Sequence, residues 1–290
     1  MSWLILGGSG QLGRSFLDYL NQNNIIHMAP SSKELNICSQ EAISKFFSLN
    51  KPSVVVNCAA WTNVDEAEKF EELVFQVNGV APGYLAQEAK KIDATYVQIS
   101  TDYVFSGKRI EPWGENEKVS PISMYGKSKA LGESRVMESY SENSYIVRTG
   151  WLYSQYGKNF VKTICTFALE GRSSIRVVND QIGQPTFAGD LVDQIVMLLG
   201  ARSQPGIYHG TNSGSTSWYG LARKIFEVLN ISTKDLQPIT SDEFVSLAER
   251  PKFSVLGHQS WMNANLPEMK NWELALSSSL KEIYSAISMS

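Results

Sequence analysis

The chain has 290 residues, enough for one large domain or two smaller ones. With 43% hydrophobic and 19% charged residues its composition is that of an ordinary globular protein, and a formal net charge of −3 gives no reason to expect a nucleic acid or an anionic membrane as partner. No apolar run approaches the roughly 20 residues that span a bilayer.

Strands and helices are predicted to alternate along the first 150 residues. The apolar run at residues 3–6 predicts a first strand rather than a signal peptide, because no basic segment precedes it. Further on, apolar periodicity and turn residues predict a helix at 11–21, a strand at 25–29, a helix at 39–49, a strand at 53–58, a helix at 71–91, a strand at 94–99, a helix at 124–139 and a strand at 145–148. Repeated strand–helix units indicate an α/β fold with a Rossmann-type, doubly wound parallel sheet.

The second half of the chain has longer loops and more turn residues. Helices are predicted at residues 159–170, 190–199, 218–229 and 272–287. We therefore expect an NAD(P)-binding Rossmann domain at residues 1–150 and a smaller C-terminal α/β lobe at 151–290 that binds substrate. The boundary is one that strands and helices can cross.

A glycine-rich loop, Gly7-x-x-Gly10-x-x-Gly13, follows the first predicted strand and includes Gln11 and Leu12. The first glycine permits a tight turn, the second lets the backbone approach a pyrophosphate, and the third lets helix and strand pack closely. The helix then offers unpaired N–H groups and its positive dipole end to the phosphates. The alternative is a glycine-rich turn without a ligand, but the position between a strand and a helix favours a dinucleotide.

The end of the second predicted strand bears on the choice of dinucleotide. NAD-preferring sites often place an acid there for the 2′-hydroxyl of the ribose. Two serines and a lysine stand there instead, and the first acid is Glu34, so we expect NADP(H) to be preferred and NAD(H) to be possible. The alternative is a loop lysine that is merely solvated. The residues expected at the ribose and the adenine are Ser31, Ser32, Lys33, Asn36 and Ile37.

Thr101, Tyr125 and Lys129 form a candidate catalytic set. The tyrosine and the lysine are four residues apart on a predicted helix and share a face, and Thr101 follows the fourth predicted strand. Hydride delivered to a ketone leaves charge on the oxygen, which a phenol can protonate and a hydroxyl can stabilise. A nearby ammonium is expected to lower the phenol pKa from about 10. Taken singly, packing of the tyrosine and backbone bonding by the threonine are the alternatives.

These residues and the motifs around them resemble the dTDP-4-dehydrorhamnose reductase family of the extended short-chain dehydrogenase/reductase superfamily. The matching segments are residues 10–13, 56–65, 77–78, 100–107, 121–129, 132–133, 148–153, 159–161, 180–186 and 250–251. The most specific are Ser-Thr-Asp-Tyr-Val-Phe at 100–105 and Asp-Gln-x-Gly-x-Pro-Thr at 180–186, whereas the glycine loop is widely shared.

The resemblance implies reduction of the 4-keto group of dTDP-4-dehydro-L-rhamnose by NAD(P)H, which gives dTDP-L-rhamnose for cell-surface polysaccharide. It implies that Thr101, Tyr125 and Lys129 are catalytic. The implied cofactor contacts are Asn57, Ala59, Ala60, Thr62, Asn78, Tyr125 and Lys129. The implied substrate contacts are Thr62, Val64, Thr101, Asp102, Trp151, Gln184 and Arg250. The guanidinium of Arg250 suits a diphosphate; the alternatives are a surface ion pair for Arg250 and core packing for Trp151.

Three positions depart from the family pattern. Some members form a magnesium-linked dimer through an acid shortly after the glycine loop, but residues 14–16 here are Arg-Ser-Phe, so no metal is expected. Trp61 stands where a tyrosine is common, and Gly150 where a serine is common. Both lie near the expected sugar pocket.

Two other functions fit the same motifs. One is a reductase or epimerase of another NDP-4-keto-6-deoxy sugar, since the Tyr–Lys pair serves them all. The other is a non-catalytic, NADP-binding regulatory subunit, against which the intact catalytic set argues. We expect a small-molecule nucleotide-sugar substrate, no nucleic-acid or membrane partner, and a monomer or homodimer. Three widely spaced cysteines fit no disulfide framework, so a cytoplasmic location is expected.

Overall fold

A six-stranded parallel sheet forms the centre of the structure, a computed structural model that describes residues 2–288. Residues 1, 289 and 290, the outer ends of the two predicted parts, lie outside that range. The strands of the sheet are β1 (Trp3–Leu6), β2 (His27–Met28), β3 (Val54–Asn57), β4 (Thr95–Thr101), β5 (Ser144–Thr149) and β10 (Gly206–His209). Their order is β10-β5-β4-β3-β1-β2, and every neighbouring pair is parallel. The order reverses between β1 and β3, which is where such sheets bind ligands.

Helices cover both faces of this sheet, which confirms the predicted fold. They are α1 (Gln11–Gln22), α2 (Gln40–Asn50), α5 (Ala81–Lys91), α6 (Met124–Tyr140) and α8 (Ala188–Gly200), while the short helices α3 (Val64–Ala67) and α4 (Glu71–Phe75) pack against α6. Alternate residues of β1 point to opposite faces. Ile5 packs with α1 and α8, and Leu4 packs with α2, α5 and α6. Burial on both faces explains why the central strands are apolar without alternation.

A second, smaller core lies in the C-terminal part of the chain. It is formed by the buried faces of three helices and a parallel strand pair. These elements are α7 (Phe160–Leu169), α9 (Trp218–Val228), α11 (Trp272–Ser288), β7 (Ile175–Val178) and β12 (Leu236–Ile239). Short elements complete the part: β6 (Leu152–Tyr153), β8 (Ile182–Gly183), β9 (Thr186–Phe187), β11 (Thr216–Ser217) and α10 (Gln259–Asn263). Within residues 2–288, no helix has both the length and the apolar character to cross a bilayer.

Beyond residue 150 the sequence predicted only helices, so the strands there are new; among the elements of the main sheet and its helices, three differ from the predictions. The helix predicted at 71–91 is divided into α4 and α5 by a π-helical turn, Gln76–Val80. The strand predicted at 25–29 is reduced to the two residues of β2, because the N–H of Ile25 is used by the carbonyl oxygen of Leu20 at the end of α1 and β2 lies at the edge of the sheet. β10 was not predicted; it and α8 lie beyond residue 150 yet pack on the main sheet. The division at residue 150 stays a prediction.

Candidate active site

A cleft of about 720 Å³ lies at the carboxyl ends of β1, β3 and β4. It brings together residues that are far apart in the sequence. The predicted site residues that line it are Gly7, Gly10, Gln11, Leu12, Gly13, Ala59, Ala60, Thr62, Val64, Thr101, Asp102, Tyr125, Lys129 and Trp151. The glycine loop, the candidate catalytic set and part of the C-terminal lobe therefore face one space.

The glycine loop has the backbone geometry of a dinucleotide site. Gly7 has a φ of +75°, and a Cβ there would lie 2.6 Å from the backbone nitrogen of Ala59. A Cβ on Gly13 would collide with the carbonyl oxygen of Gly7, so strand and helix approach only because both residues are glycine. Gly10 is the N-cap of α1 and contributes no capping side chain. The first N–H groups of a twelve-residue helix thus remain for an anionic ligand, and the donor set fits a pyrophosphate.

The three candidate catalytic residues meet where β4 ends against α6. Thr101 Oγ1 donates to Asp102 Oδ1 at 3.0 Å and accepts from the backbone N–H of Tyr103 at 3.2 Å. The Tyr125 hydroxyl is within hydrogen-bond reach of the Thr101 side chain. Lys129 Nζ donates to the carbonyl oxygen of Ile99 at 2.6 Å. The hydroxyl, the phenol and the ammonium thus share one corner of the cleft.

Burial controls the protonation of this corner. It raises the pKa of Tyr125 to about 12, and the charge of Asp102 adds to that effect. It lowers the pKa of Lys129 to about 8, although the nearby Glu133 opposes the change. The phenol pKa therefore moves opposite to the expected direction, because desolvation is the largest influence on it. The result keeps Tyr125 protonated at neutral pH, as a proton donor must be.

Asp102 is a buried carboxyl group beside the candidate catalytic hydroxyl. Only 3% of the residue is exposed, and burial raises its pKa to about 6, against the lowering influence of Ser254 and Thr101. Gly150 makes room for it, since a Cβ there would lie 2.8 Å from the Asp102 carboxylate. The glycine that departs from the family pattern is therefore in direct contact with a predicted substrate residue.

Trp151 is held in an unusual conformation. Its φ is +47°, a left-handed value that bulky residues rarely adopt and that often marks a functional position. Its indole stacks on that of Trp218 with ring centroids 3.5 Å apart and planes 6° apart. Gly183 accommodates the ring, because a Cβ there would approach it to 2.5 Å. Trp218 also lines the cleft, and apart from its place at a helix start no local pattern marks it as a site residue.

The segment predicted to bind the ribose and adenine lies outside the lining of the cleft. The side chain of Glu34 accepts hydrogen bonds from both the N–H and the hydroxyl of Ser31, each at 2.8 Å. Ser32 and Lys33 are exposed beside this turn, and Ile37 packs against the core. Asn36 Oδ1 accepts a hydrogen bond from the backbone N–H of Cys38 at 3.0 Å. The donors of Ser31 would have to leave Glu34 before they could bind a phosphate.

Three other predicted contacts are buried and hydrogen-bonded within the protein. Asn57 Oδ1 accepts from the N–H of Ala59 at 3.2 Å. Asn78, in the π-helical turn, accepts from the N–H of Trp61 at 2.8 Å and donates to its carbonyl oxygen at 3.0 Å. Gln184 Oε1 accepts hydrogen bonds from the hydroxyl of Thr211 and from the backbone N–H of Leu256. These three amides do not line the cleft. Asn57 and Asn78 hold the backbone of the loop at residues 59–61, which includes the cleft residues Ala59 and Ala60.

Arg250 lines a second cavity, of about 380 Å³. Its guanidinium binds both carboxylate oxygens of Asp65, at 2.8 and 3.2 Å. Asp65 also accepts the backbone N–H groups of Leu247 and Ala248, at 3.1 and 3.0 Å. The ion pair named as an alternative is thus present, although Arg250 still faces a cavity.

Across the part of the chain that the structure describes, no group of three or more His, Cys, Asp or Glu side chains is arranged to hold an ion.

Known proteins resemble this chain over nearly its whole length. The model of the RmlD substrate binding domain family matches residues 1–285. A dTDP-4-dehydrorhamnose reductase from Streptomyces griseus is 39% identical over 96% of this chain and 92% of its own. A dTDP-4-keto-6-deoxy-D-glucose reductase from Streptomyces niveus is 36% identical over 94% of both. A crystal structure of a dTDP-4-dehydrorhamnose reductase from Bacillus anthracis in complex with NADP has a TM-score of 0.93 and 37% identity, covering 97% of this chain and 99% of that one.

Proposed function

Since this chain belongs to the dTDP-4-dehydrorhamnose reductase family, we propose that it reduces the 4-keto group of dTDP-4-dehydro-L-rhamnose with NADPH, giving dTDP-L-rhamnose. The observation that carries the proposal is the meeting of Thr101, Tyr125 and Lys129 in one cleft with the glycine loop. Separately, each residue type is common; together they supply a proton donor, an oxygen ligand and a cation beside a dinucleotide site.

The cofactor supplies the hydride when it is bound, and the residues of this chain hold it and manage the proton. The glycine loop and the N-terminus of α1 bind its pyrophosphate. Tyr125 donates its phenolic proton to the substrate oxygen as charge develops there. Its raised pKa holds that proton in place at neutral pH until the substrate arrives.

Thr101 and Asp102 position the substrate oxygen in this scheme. The hydroxyl hydrogen of Thr101 is donated to Asp102, so Thr101 contacts a substrate oxygen as a donor only after its hydroxyl turns. The carboxylate of Asp102 is then open to a sugar hydroxyl. Lys129 binds the nicotinamide ribose with the ammonium that now donates to the carbonyl oxygen of Ile99.

We propose the substrate class, the cellular location and the oligomeric state as follows. A small-molecule nucleotide sugar is the substrate, and the product serves cell-surface polysaccharide. The cytoplasm is the proposed location, which the unpaired cysteines Cys38, Cys58 and Cys165 support. A monomer or a homodimer with no nucleic-acid or membrane partner is the proposed state.

The test follows NADPH absorbance with a panel of NDP-4-keto sugars. We expect turnover with dTDP-4-dehydro-L-rhamnose, a smaller kcat/KM with dTDP-4-keto-6-deoxy-D-glucose, and a smaller kcat/KM with NADH than with NADPH. Tyr125→Phe should lower kcat by about 10²- to 10⁴-fold and leave the binding of NADPH largely in place. Tyr84→Phe, on α5 outside the cleft, is the matched control.

The outcomes separate the rival functions. Preference for a different 4-keto sugar points to the related reductase. NADPH binding without turnover of any sugar points to the regulatory subunit and overturns the proposal. Unchanged turnover in Tyr125→Phe removes that residue as the proton donor.

A further inference from the structure

A short segment of the C-terminal part lies directly on the glycine loop. Gln11 Oε1 accepts hydrogen bonds from Asn159 Nδ2 at 2.9 Å and from Ser154 Oγ at 3.3 Å. The hydroxyl of Tyr156 donates to Asp18 Oδ2 on α1 at 2.6 Å. Residues 154–159 are thus attached to the first helix of the Rossmann domain at two places.

Gly157 brings this segment close to the cofactor loop. Its φ is +61°, and a Cβ there would lie 3.1 Å from Cγ of Gln11. Gly157 and the next residue, Lys158, both line the main cleft, alongside Gly10 and Gln11. An ammonium carried by the C-terminal part therefore faces the same space as the N-terminus of α1.

The distribution of charged side chains around the cleft indicates which group Lys158 would bind. Residues 7–13 carry no charged side chain, so the glycine loop offers a diphosphate only N–H groups and a helix dipole. Among the described residues, Lys129 and Lys158 are the cations that line the cleft, and Lys129 is held beside β4 by its hydrogen bond to the carbonyl oxygen of Ile99. Lys158 is exposed and forms no ion pair with any of the residues that the structure describes.

We propose that Lys158 binds the diphosphate of the dinucleotide, an inference that rests on the proposed use of NAD(P)H. Lysine binds phosphate as a point charge on a flexible stem, which suits an approach from a loop on the far side of the ligand. The cofactor site is then completed by the C-terminal part, and the hydrogen bonds of Gln11, Asn159 and Tyr156 set the position of the cation. The dinucleotide is bound between the glycine loop and residues 154–159.

The experiment measures cofactor binding without catalysis, by titrating the intrinsic fluorescence of the whole protein with NADPH and with NADH. Lys158→Gln should raise both Kd values by the same factor, about tenfold, the scale of one charge-assisted hydrogen bond. It should also make the Kd less dependent on salt. Lys234→Gln is the matched control, because Lys234 is also exposed, forms no ion pair with the residues that the structure describes, and does not line the cleft.

Each other result overturns the assignment. Unchanged Kd values in Lys158→Gln mean that the ammonium does not touch the cofactor, although the proposed function stands if the wild-type protein binds NADPH. A loss confined to NADPH places Lys158 at the 2′-phosphate and not at the diphosphate. Failure of the wild-type protein to bind either dinucleotide overturns the proposed function together with the inference.

Discussion

The buried ammonium of Lys129 is expected to lower the free energy of unfolding of the protein at neutral pH. The residue is only 4% exposed, and burial lowers its pKa from 10.5 to about 8. At about 1.4 kcal/mol per pKa unit, keeping the ammonium form in the folded protein costs on the order of 3 kcal/mol. Lys129→Met keeps the length of the side chain and removes the charge. We therefore expect it to raise the free energy of unfolding at pH 7 by up to about 3 kcal/mol, while it abolishes reduction.

The pH dependence identifies the cause. Between pH 8 and 10.5 the unfolded chain keeps a proton on Lys129 that the folded protein has released, so the stability of the wild-type protein rises with pH across this window. The advantage of Lys129→Met should be constant below pH 8 and shrink as the pH rises from 8 to 10.5. Comparing variant with wild type cancels the contribution of the other titrating groups.

The assay is urea unfolding followed by circular dichroism at a series of pH values. Lys127→Met is the control, because Lys127 lies on the same helix with an exposed side chain. It should change neither the stability nor its pH dependence. Two results would show that burial of the ammonium does not cost stability: a Lys129→Met variant less stable than the wild-type protein at pH 7, or an advantage that is the same at pH 10.5 as at pH 7.

Two further predictions concern the C-terminal part. Gly183→Ala should push the Trp151 indole off Trp218, raise the KM for the nucleotide sugar severalfold and leave the Kd for NADPH unchanged. Gly200→Ala, where a Cβ meets nothing within 4 Å, is its control, and an unchanged KM in Gly183→Ala would show that the stack plays no part in substrate binding. Asp65→Asn should loosen residues 244–250, seen as faster amide hydrogen exchange there, because Asp65 anchors two N–H groups and Arg250. Glu66→Gln, on the same short helix, should leave exchange as it is; equal protection in both variants would contradict the anchoring role.

Much of the fold was predictable because its signals are local. Apolar spacing predicted α1, since Leu12, Phe16 and Leu20 face the sheet together. The glycine loop and the Tyr–Lys spacing predicted residues that the structure does bring into one cleft. Their roles stay predictions, whereas the family and the dinucleotide fold are confirmed by the comparisons.

Features that depend on tertiary contacts were not predictable. Trp218 and Lys158 reach the cleft from other parts of the chain, and no local pattern marks them. Buried amides such as Asn78 resemble ligand contacts in sequence, because the same groups bind backbone equally well. The direction of the Tyr125 pKa depends on burial, which the spacing of a lysine does not reveal.

The return of the chain to the main sheet has a practical consequence. A fragment ending near residue 150 would lack β10 and α8, leaving the backbone groups of β5 without their outer partner and Trp3 and Ile5 without part of their cover. An unpaired, apolar strand at a sheet border invites self-association. Attempts to produce residues 1–150 alone should therefore yield aggregates, and a soluble truncation would have to extend at least to the end of β10 at residue 209.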